Sequence, residues 1–509
     1  MPFRLFLRKC FTDLKENLIL SCYGNIWKVM RFFMIFNSMA FAVFLPIIFI
    51  LYWICPAKYR YIFLLAASFY FYMYMDKRYA LLLLSIAIVS FFLALALQSA
   101  GSLPDQGWDG SRKRCLLKNI YLLTGIILLA GCLIVFKYTG FFFEAAGLPS
   151  PAIQLMLPVG ISFYTFQTLG YLIDIYREKY PAERHFGYYC LFVSFFPQLL
   201  SGPIGRGDAL LPQFKKTRIF NPAQASYGLK LMSVGYFKKL VVAELLAPVV
   251  NSIYDHPGNY SGLVFPIATV MFAVQIYCDF SGYTDIAIGC AKLFGIELRE
   301  NFKSPYFSHS IREFWSRWHI SLSTWFRDYV YIPLGGSRKG TFRHCRNLLL
   351  TFLVSGLWHG AGFPYIIWGA VHGIYQILET LLNPKRRRGF FFLLLTFAEV
   401  CFAWVFFRAN TLQDAWRILS LSFHGIGSPG NYLKNAVISL DMSYAYMIYL
   451  CIPVLLLAAY DYASLKTDVI ARISSWKPWA RYSVYILFLL VILLFSEKGV
   501  STEFYYFQF

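Results

Sequence analysis

Residues Gly389–Phe407 read "GFFFLLLTFAEVCFAWVFF", nineteen positions among which Glu399 is the one charged side chain. As a helix this run rises about 28 Å at 1.5 Å per residue, close to the ~30 Å of hydrocarbon in a bilayer. It is apolar on every face, so it suits lipid or complete burial and not the surface of a soluble domain. The same reading applies to Tyr61–Met75, Tyr79–Leu97, Asn119–Phe136, Leu263–Tyr277, Met442–Tyr460 and Tyr482–Phe495. Across 509 residues, 58% apolar and 20% aromatic side chains against 14% charged describe an all-α, polytopic membrane protein. Shorter apolar segments broken by Gly or Pro lie between these runs and read as re-entrant or protein-buried, because unpaired backbone groups cannot face lipid.

The net charge of +21 collects in short clusters at segment ends, such as "SRKR" (Ser111–Arg114) and "KRRR" (Lys385–Arg388). That is the pattern of cytoplasmic loops; a nucleic-acid binder needs a contiguous basic face on a polar module, and none is present. With "KRRR" inside, alternating passes leave the last helix, Tyr482–Phe495, delivering the C-terminus to the extracytoplasmic side. Residues 1–33 carry six Lys and Arg and run against this orientation. They read as a basic extension or a misassigned upstream start, with Met34 opening the apolar "MIFNSMAFAVFLPIIF" of a single membrane domain over 34–509. The eleven cysteines are scattered singly without a C-x-x-C pair, as packing residues are.

Five of the eight histidines fall between His309 and His372. Three have apolar or aromatic surroundings: His319 in "SRWHISLS", His359 in "SGLWHGAG" and His372 in "GAVHGIYQ". An imidazole at membrane depth serves either a polar site or a helix-to-helix hydrogen bond. Glycines on both sides of His359 break the helix and admit another chain, so a neutral imidazole there suits a general base. His372 reads as structural. No H-x-x-H or i,i+4 histidine pair supports a metal site, and no G-x-S-x-G or P-loop is present. Asp279 and Asp285 in "CDFSGYTDIAIG" read as carboxylates paired with Arg or backbone at a helix break. "REFWSRWHISLSTWFRDYVYIPLGG" (Arg312–Gly336), with Arg312, Arg317 and Arg327, reads either as an interfacial amphipathic helix or as a site for an anionic cofactor. Glu399 reads as a buried hydrogen-bonding group.

These last stretches, with "LPVGISFYTFQTLGYLIDIYR" (Leu157–Arg177), "FFPQLLSGPIGR" (Phe195–Arg206) and "GLWHGAG", together resemble the membrane-bound O-acyltransferase family. Within it they are most similar to the bacterial branch of alginate O-acetyltransferases and teichoic-acid D-alanylation proteins. The resemblance implies a helical ring around a central tunnel, with about eleven or more membrane helices plus re-entrant and interfacial segments. It places the family's invariant histidine on His359 and its second on His319. It further implies that the terminal "FYYFQF" (504–509) is an acyl-acceptor motif with Tyr506 as the accepting phenol; an aromatic interfacial anchor is the alternative. The implied activity is transfer of an acyl group, acetyl first and D-alanyl second, to an extracytoplasmic envelope polysaccharide. The donor is acetyl-CoA or an acyl carrier protein thioester, with no bound cofactor or metal, and an SGNH-type acyltransferase or esterase is the expected partner. The implied location is the bacterial cytoplasmic membrane, among its lipids. A non-catalytic lipid or sugar exporter is the rival class, but the two related halves such a fold builds on are not visible in the sequence.

Overall fold

The computed structural model describes residues 34–103, 107–148, 157–200, 202–382, 389–440 and 442–496, and these form helices and connecting turns without a strand. Helices α1 (Met39–Ile54), α2 (Arg60–Met73), α3 (Lys77–Gly101) and α4 (Gly107–Ala145) are followed by α5 (Ile161–Tyr176) and α6 (Phe186–Ser194). Then come α7 (Gly207–Lys215), α8 (Pro222–Tyr236), α9 (Glu244–Asp255) and α10 (Val264–Leu293). Two seven-residue helices, α11 (Ile311–Arg317) and α12 (Ile320–Phe326), lead to α13 (Thr341–His359), α14 (Phe363–Leu381) and α15 (Phe390–Arg408). The chain closes with α16 (Leu412–Ser422), α17 (Pro429–Leu440), α18 (Tyr444–Ser464), α19 (Val469–Ser474) and α20 (Pro478–Phe495).

Local chemistry sets several of these starts. Ser38 caps α1 by accepting from the Phe41 N–H, and Asp76 caps α3 by accepting from the Arg78 N–H at 2.8 Å. Beyond α5 the chain turns at Glu178 in a left-handed conformation (φ 55°). Hydrogen bonds from Lys118 first and Arg114 second, both on α4, hold the Glu178 carboxyl below the usual carboxylate range.

Among the described residues, six helices are long and apolar enough to cross a membrane: α3, Ser111–Ala145 within α4, α10, α15, α18 and α20. The protein is a multi-pass membrane protein. Shorter apolar helices such as α1 stand beside them, because helices wrapped by protein need neither the length nor the all-round apolarity of a lipid-facing span. The six also differ in depth. Of the apolar window of α10, 72% is buried inside the protein, against 0% for α20, so α10 is the central post and α20 a peripheral strut.

Two aromatic-rich cores meet along α10. Its first half, Val264 to Cys278, packs with Trp318, Trp368 and Trp404; its second half, Phe280 to Leu293, packs with Phe71, Tyr164 and Tyr189. Helix α8 lies against α10 at two glycine pairs, Gly228 with Gly289 and Gly235 with Gly282. A Cβ on Gly235 would fall 2.6 Å from the Gly282 carbonyl oxygen, and one on Gly282 would fall 2.7 Å from that of Gly235, so both must be bare for the backbones to touch.

The helix break expected within Cys278–Gly289 does not occur there; α10 runs unbroken from Val264 to Leu293. The irregularity lies on its neighbour, where Phe237–Ala243 forms a π-helical turn between α8 and α9. The partners of the two aspartates are lysines and not arginines: Lys239 Nζ stands 2.7 Å from Asp279 Oδ1, and Lys238 Nζ stands 2.7 Å from Asp285 Oδ2. The wider turn brings consecutive lysines to one helix, pinning α10 by charge as the glycines pin it by contact.

Candidate active site

The stretch Arg312–Gly336 is not one amphipathic helix. It breaks at Trp318–His319, where His319 adopts φ 43° and ψ 54° before α12 begins. A left-handed β-carbon residue costs on the order of 1–3 kcal/mol, so something must hold it. Asn301 does. Its carbonyl oxygen accepts from the Ile320 N–H at 2.9 Å. Its side-chain Oδ1 accepts from the Ser321 N–H at 3.0 Å and the Ser321 hydroxyl at 2.9 Å, and lies 3.2 Å from His319 Nδ1.

His359 ends α13, as its flanking glycines suggest. Gly360 and Gly362 are extended, and α14 starts at once with Phe363–Pro364, giving a tight antiparallel hairpin. Gly356 on α13 and Gly369 on α14 form its contact: a Cβ on Gly356 would collide with the Tyr365 carbonyl oxygen, and one on Gly369 with that of Phe352. The last carbonyls of α13 are capped from a distant helix. Lys137 on α4 donates from Nζ to the Trp358 oxygen at 2.6 Å and the His359 oxygen at 3.1 Å, and the Tyr138 hydroxyl donates to the Leu357 oxygen. A cation at a helix C-terminus also complements its dipole. The apolar run expected on α4 stops at Phe136, one residue short of this lysine. Its signal in the sequence is a single ammonium inside "GCLIVFKYTGFFF", which membrane burial makes expensive unless it is used.

The two breaks converge at the seam of the two cores. Trp358 lies 4.8 Å, centroid to centroid, from the His359 ring and 6.1 Å from the His319 ring, so one indole touches both. Trp368 at 4.9 Å and Phe407 at 5.4 Å present the other walls of His359. Phe280, edge-on at 4.6 Å, and Phe163 wall His319. Both imidazoles are buried. His372 joins the same aromatic cluster through Trp368, and its Nδ1 accepts from the Trp315 indole N–H at 3.3 Å, a helix-to-helix hydrogen bond between α14 and α11.

The three arginines do not share one anion site. Arg317 pairs with Glu313 at 2.6 Å and Arg327 with Asp328 at 2.8 Å, while Arg312 donates to the Thr380 hydroxyl at 3.3 Å. Arg317 and Asn301 line a polar cavity of about 1000 Å³. Arg312 and Arg327 line a separate, mostly apolar cavity of about 620 Å³, which runs along α13 past His344, Thr351 and Ser355. Ser355 is one turn before His359 on the same helix face. Glu399, expected to be buried, is half-buried on α15. No group of three His, Cys, Asp or Glu side chains converges closely enough to hold a metal among the described residues. Tyr506 and its motif, residues 1–33 and the "KRRR" cluster lie outside the described residues.

Residues 183–413, which contain both breaks and the hairpin, match the family model described as "MBOAT, membrane-bound O-acyltransferase family". The chain is 38% identical over 405 residues to the "Probable alginate O-acetylase AlgI" of Pseudomonas putida, covering 77% of this chain and 80% of that one. The chain belongs to the membrane-bound O-acyltransferase family. Another relative is the "Peptidoglycan O-acetyltransferase" of Helicobacter pylori, 34% identical over 439 residues, with 78% of this chain and 81% of that one covered. The "Teichoic acid D-alanyltransferase" of Bacillus subtilis is 29% identical over 285 residues, 51% of this chain and 71% of its own. As a membrane-bound O-acyltransferase, with acetyl the favoured group, this protein carries His319, His359 and Asn301 inside the matched region.

Lys137 lies outside that region, and its role is testable. Lys137→Met keeps the apolar stem and removes the ammonium that caps α13. Hydrogen bonds to charged groups contribute about 1.5–3 kcal/mol each. The substitution is expected to lower the thermal midpoint in detergent and to reduce acyl transfer at least about tenfold, whereas Lys137→Arg, which keeps charge and donors, retains most of both. Equal loss in both variants would show that lysine shape, and not the capping charge, is what α13 needs.

Proposed function

We propose that this protein moves an acetyl group from a cytoplasmic thioester, acetyl-CoA, across the bacterial cytoplasmic membrane for O-acetylation of an envelope polysaccharide. The observation that carries this reading is the pair of buried imidazoles against one indole, with His359 at the tip of a glycine-walled hairpin. The relatives named for acetylation of alginate and peptidoglycan support a polysaccharide acceptor.

In the proposed route Tyr506, on a C-terminal tail that enters from the extracytoplasmic side, is the first acceptor. A phenol has an unperturbed pKa of about 10, so it needs a base at neutral pH. His359 takes the phenolic proton as the oxygen attacks the thioester carbonyl; the carbon–sulfur bond breaks, and the thiolate leaves with that proton as the free thiol. His319 serves as the second imidazole at the reacting centre. An SGNH-type extracytoplasmic partner then takes the acetyl group from the aryl ester, which regenerates the phenol, and passes it to a sugar hydroxyl of the polysaccharide. D-Alanyl transfer from an acyl carrier protein is the second reading, favoured by the likeness to the teichoic acid D-alanyltransferases.

The test is the intact mass of the C-terminal peptide from protein isolated in cells that lack the esterase partner. An acetyl increment on Tyr506 is the expected result, and an alanyl increment selects the second reading. An unmodified tail, with polymer acylation still dependent on His359, would overturn the relay and make the motif an anchor.

A further inference from the structure

We infer that Asn301 is a positioning residue that fixes the tautomer of His319, so that Nε2 presents a bare lone pair. The inference rests on the proposed participation of His319 in acyl transfer. The orientation of the Asn301 amide is set by its neighbours. The Ser321 backbone N–H can only donate, and it lies 3.0 Å from the side-chain position assigned to Oδ1. An amide nitrogen there would set donor against donor, so the oxygen must occupy it. His319 Nδ1, 3.2 Å from that same oxygen, must therefore carry its hydrogen. In a neutral imidazole the other nitrogen is then an acceptor with no proton.

Two further observations give this arrangement functional content. His319 is 0% exposed, and its Nε2 has no hydrogen-bond partner among the described residues. A buried unsatisfied lone pair is unfavourable, as is the left-handed backbone that places this ring. His372 also leaves its Nε2 without a partner among the described residues but sits in a regular helix, so the left-handed backbone is what sets His319 apart. Asn301 itself is 1% exposed, its Nδ2 is unpartnered, and it lines the polar cavity of about 1000 Å³. The amide thus stands between that cavity and the imidazole, its oxygen committed to the His319 turn. Polar groups held this way supply a proton acceptor whose direction needs no adjustment when the reacting hydroxyl or thiol arrives.

Ser321 completes the device. Its hydroxyl donates to Asn301 Oδ1 at 2.9 Å and accepts from the Ile204 N–H at 3.1 Å, tying the turn to the segment that precedes α7. Oδ1 therefore meets three donors at once, and rotation of the amide would forfeit all of them.

The test is a double-mutant cycle on the full-length purified chain, with acetyl-CoA as the donor probe and thiol release as the readout. Asn301→Leu removes the acceptor at similar volume, and Asn301→Asp keeps it. Asn301→Leu is expected to lower kcat about 100-fold at unchanged KM, a loss in the range of general acid–base catalysis. Asn301→Asp should stay within about tenfold of the parent rate, and Asn301→Leu should cost nothing further in a His319→Ala background. A further loss of similar size in that background would overturn the inference, since Asn301 would then act independently of the imidazole. If Asn301→Leu does not fold, a folded Asn301→Asp variant with collapsed kcat would overturn it equally. A His319→Ala variant with the parent rate would overturn the underlying reading of His319 itself, a result distinguishable from the other two.

Discussion

His359→Ala is expected to reduce acyl transfer about 10³-fold or more while leaving a folded protein, because it removes the group proposed to take the acceptor's proton. The prediction is sharpened by where the ring sits. It terminates α13, so its removal interrupts no helical hydrogen bond, and the backbone oxygen that Lys137 caps remains. What is lost is an imidazole edge-on to Trp358, Trp368 and Phe407. The three large rings leave a void that costs stability but does not unpair the hairpin. His359→Gln, closer in volume, fills most of that void and supplies no base of useful strength. Both variants should therefore be inactive, with the glutamine nearer the parent in thermal midpoint. Ester content of the acceptor polymer and a melting curve in detergent measure the two effects separately. A glutamine variant that retained transfer would assign the chemistry to His319 alone.

Gly369→Val is expected to have the second large effect, through folding and not chemistry. The Cβ alone would collide with the Phe352 carbonyl oxygen, which belongs to the backbone of α13 and cannot swing aside as a side chain can. Forcing extra carbons into packed interiors costs about 1–3 kcal/mol, and here the only relief is to part α13 from α14. That movement displaces the end of α13 and His359 with it. The expected outcome is a large fall in the yield of folded protein and loss of transfer in whatever remains. Gly140→Ala on α4 is the control: nothing lies within 4 Å of a Cβ there, and alanine favours the helix by about 1 kcal/mol. A Gly369→Val protein with an unchanged melting curve would show that the hairpin tolerates separation.

The glycine contacts on α13–α14 and α8–α10 share a cause. Between helices in a membrane there is no hydrophobic driving force of the aqueous kind, so close backbone approach takes its place. In this protein the same device positions both the central post and the hairpin that ends on His359.

The sequence by itself determined what depends on side chains summed along a short run. The apolar nineteen residues before Arg408 become α15, the glycines around His359 end α13 there, and the family motifs sit where the two histidines are. The reason is locality: hydropathy, helix termination and motif spelling are properties of neighbours in the chain. What lay beyond that reading was decided across distance. His319 and His359 become neighbours only because Trp358 reaches both across the seam of two cores. Lys137 caps a helix 221 residues away, and Asn301 holds a ring 18 residues on. Cys278–Gly289, which looks breakable by composition, stays helical because the π-helical turn beside it supplies Lys238 and Lys239 to its aspartates. The left-handed turn at His319 carries no local signature, since no glycine or asparagine stands there. Its conformation is paid for by Asn301, and only the folded chain brings that residue to it.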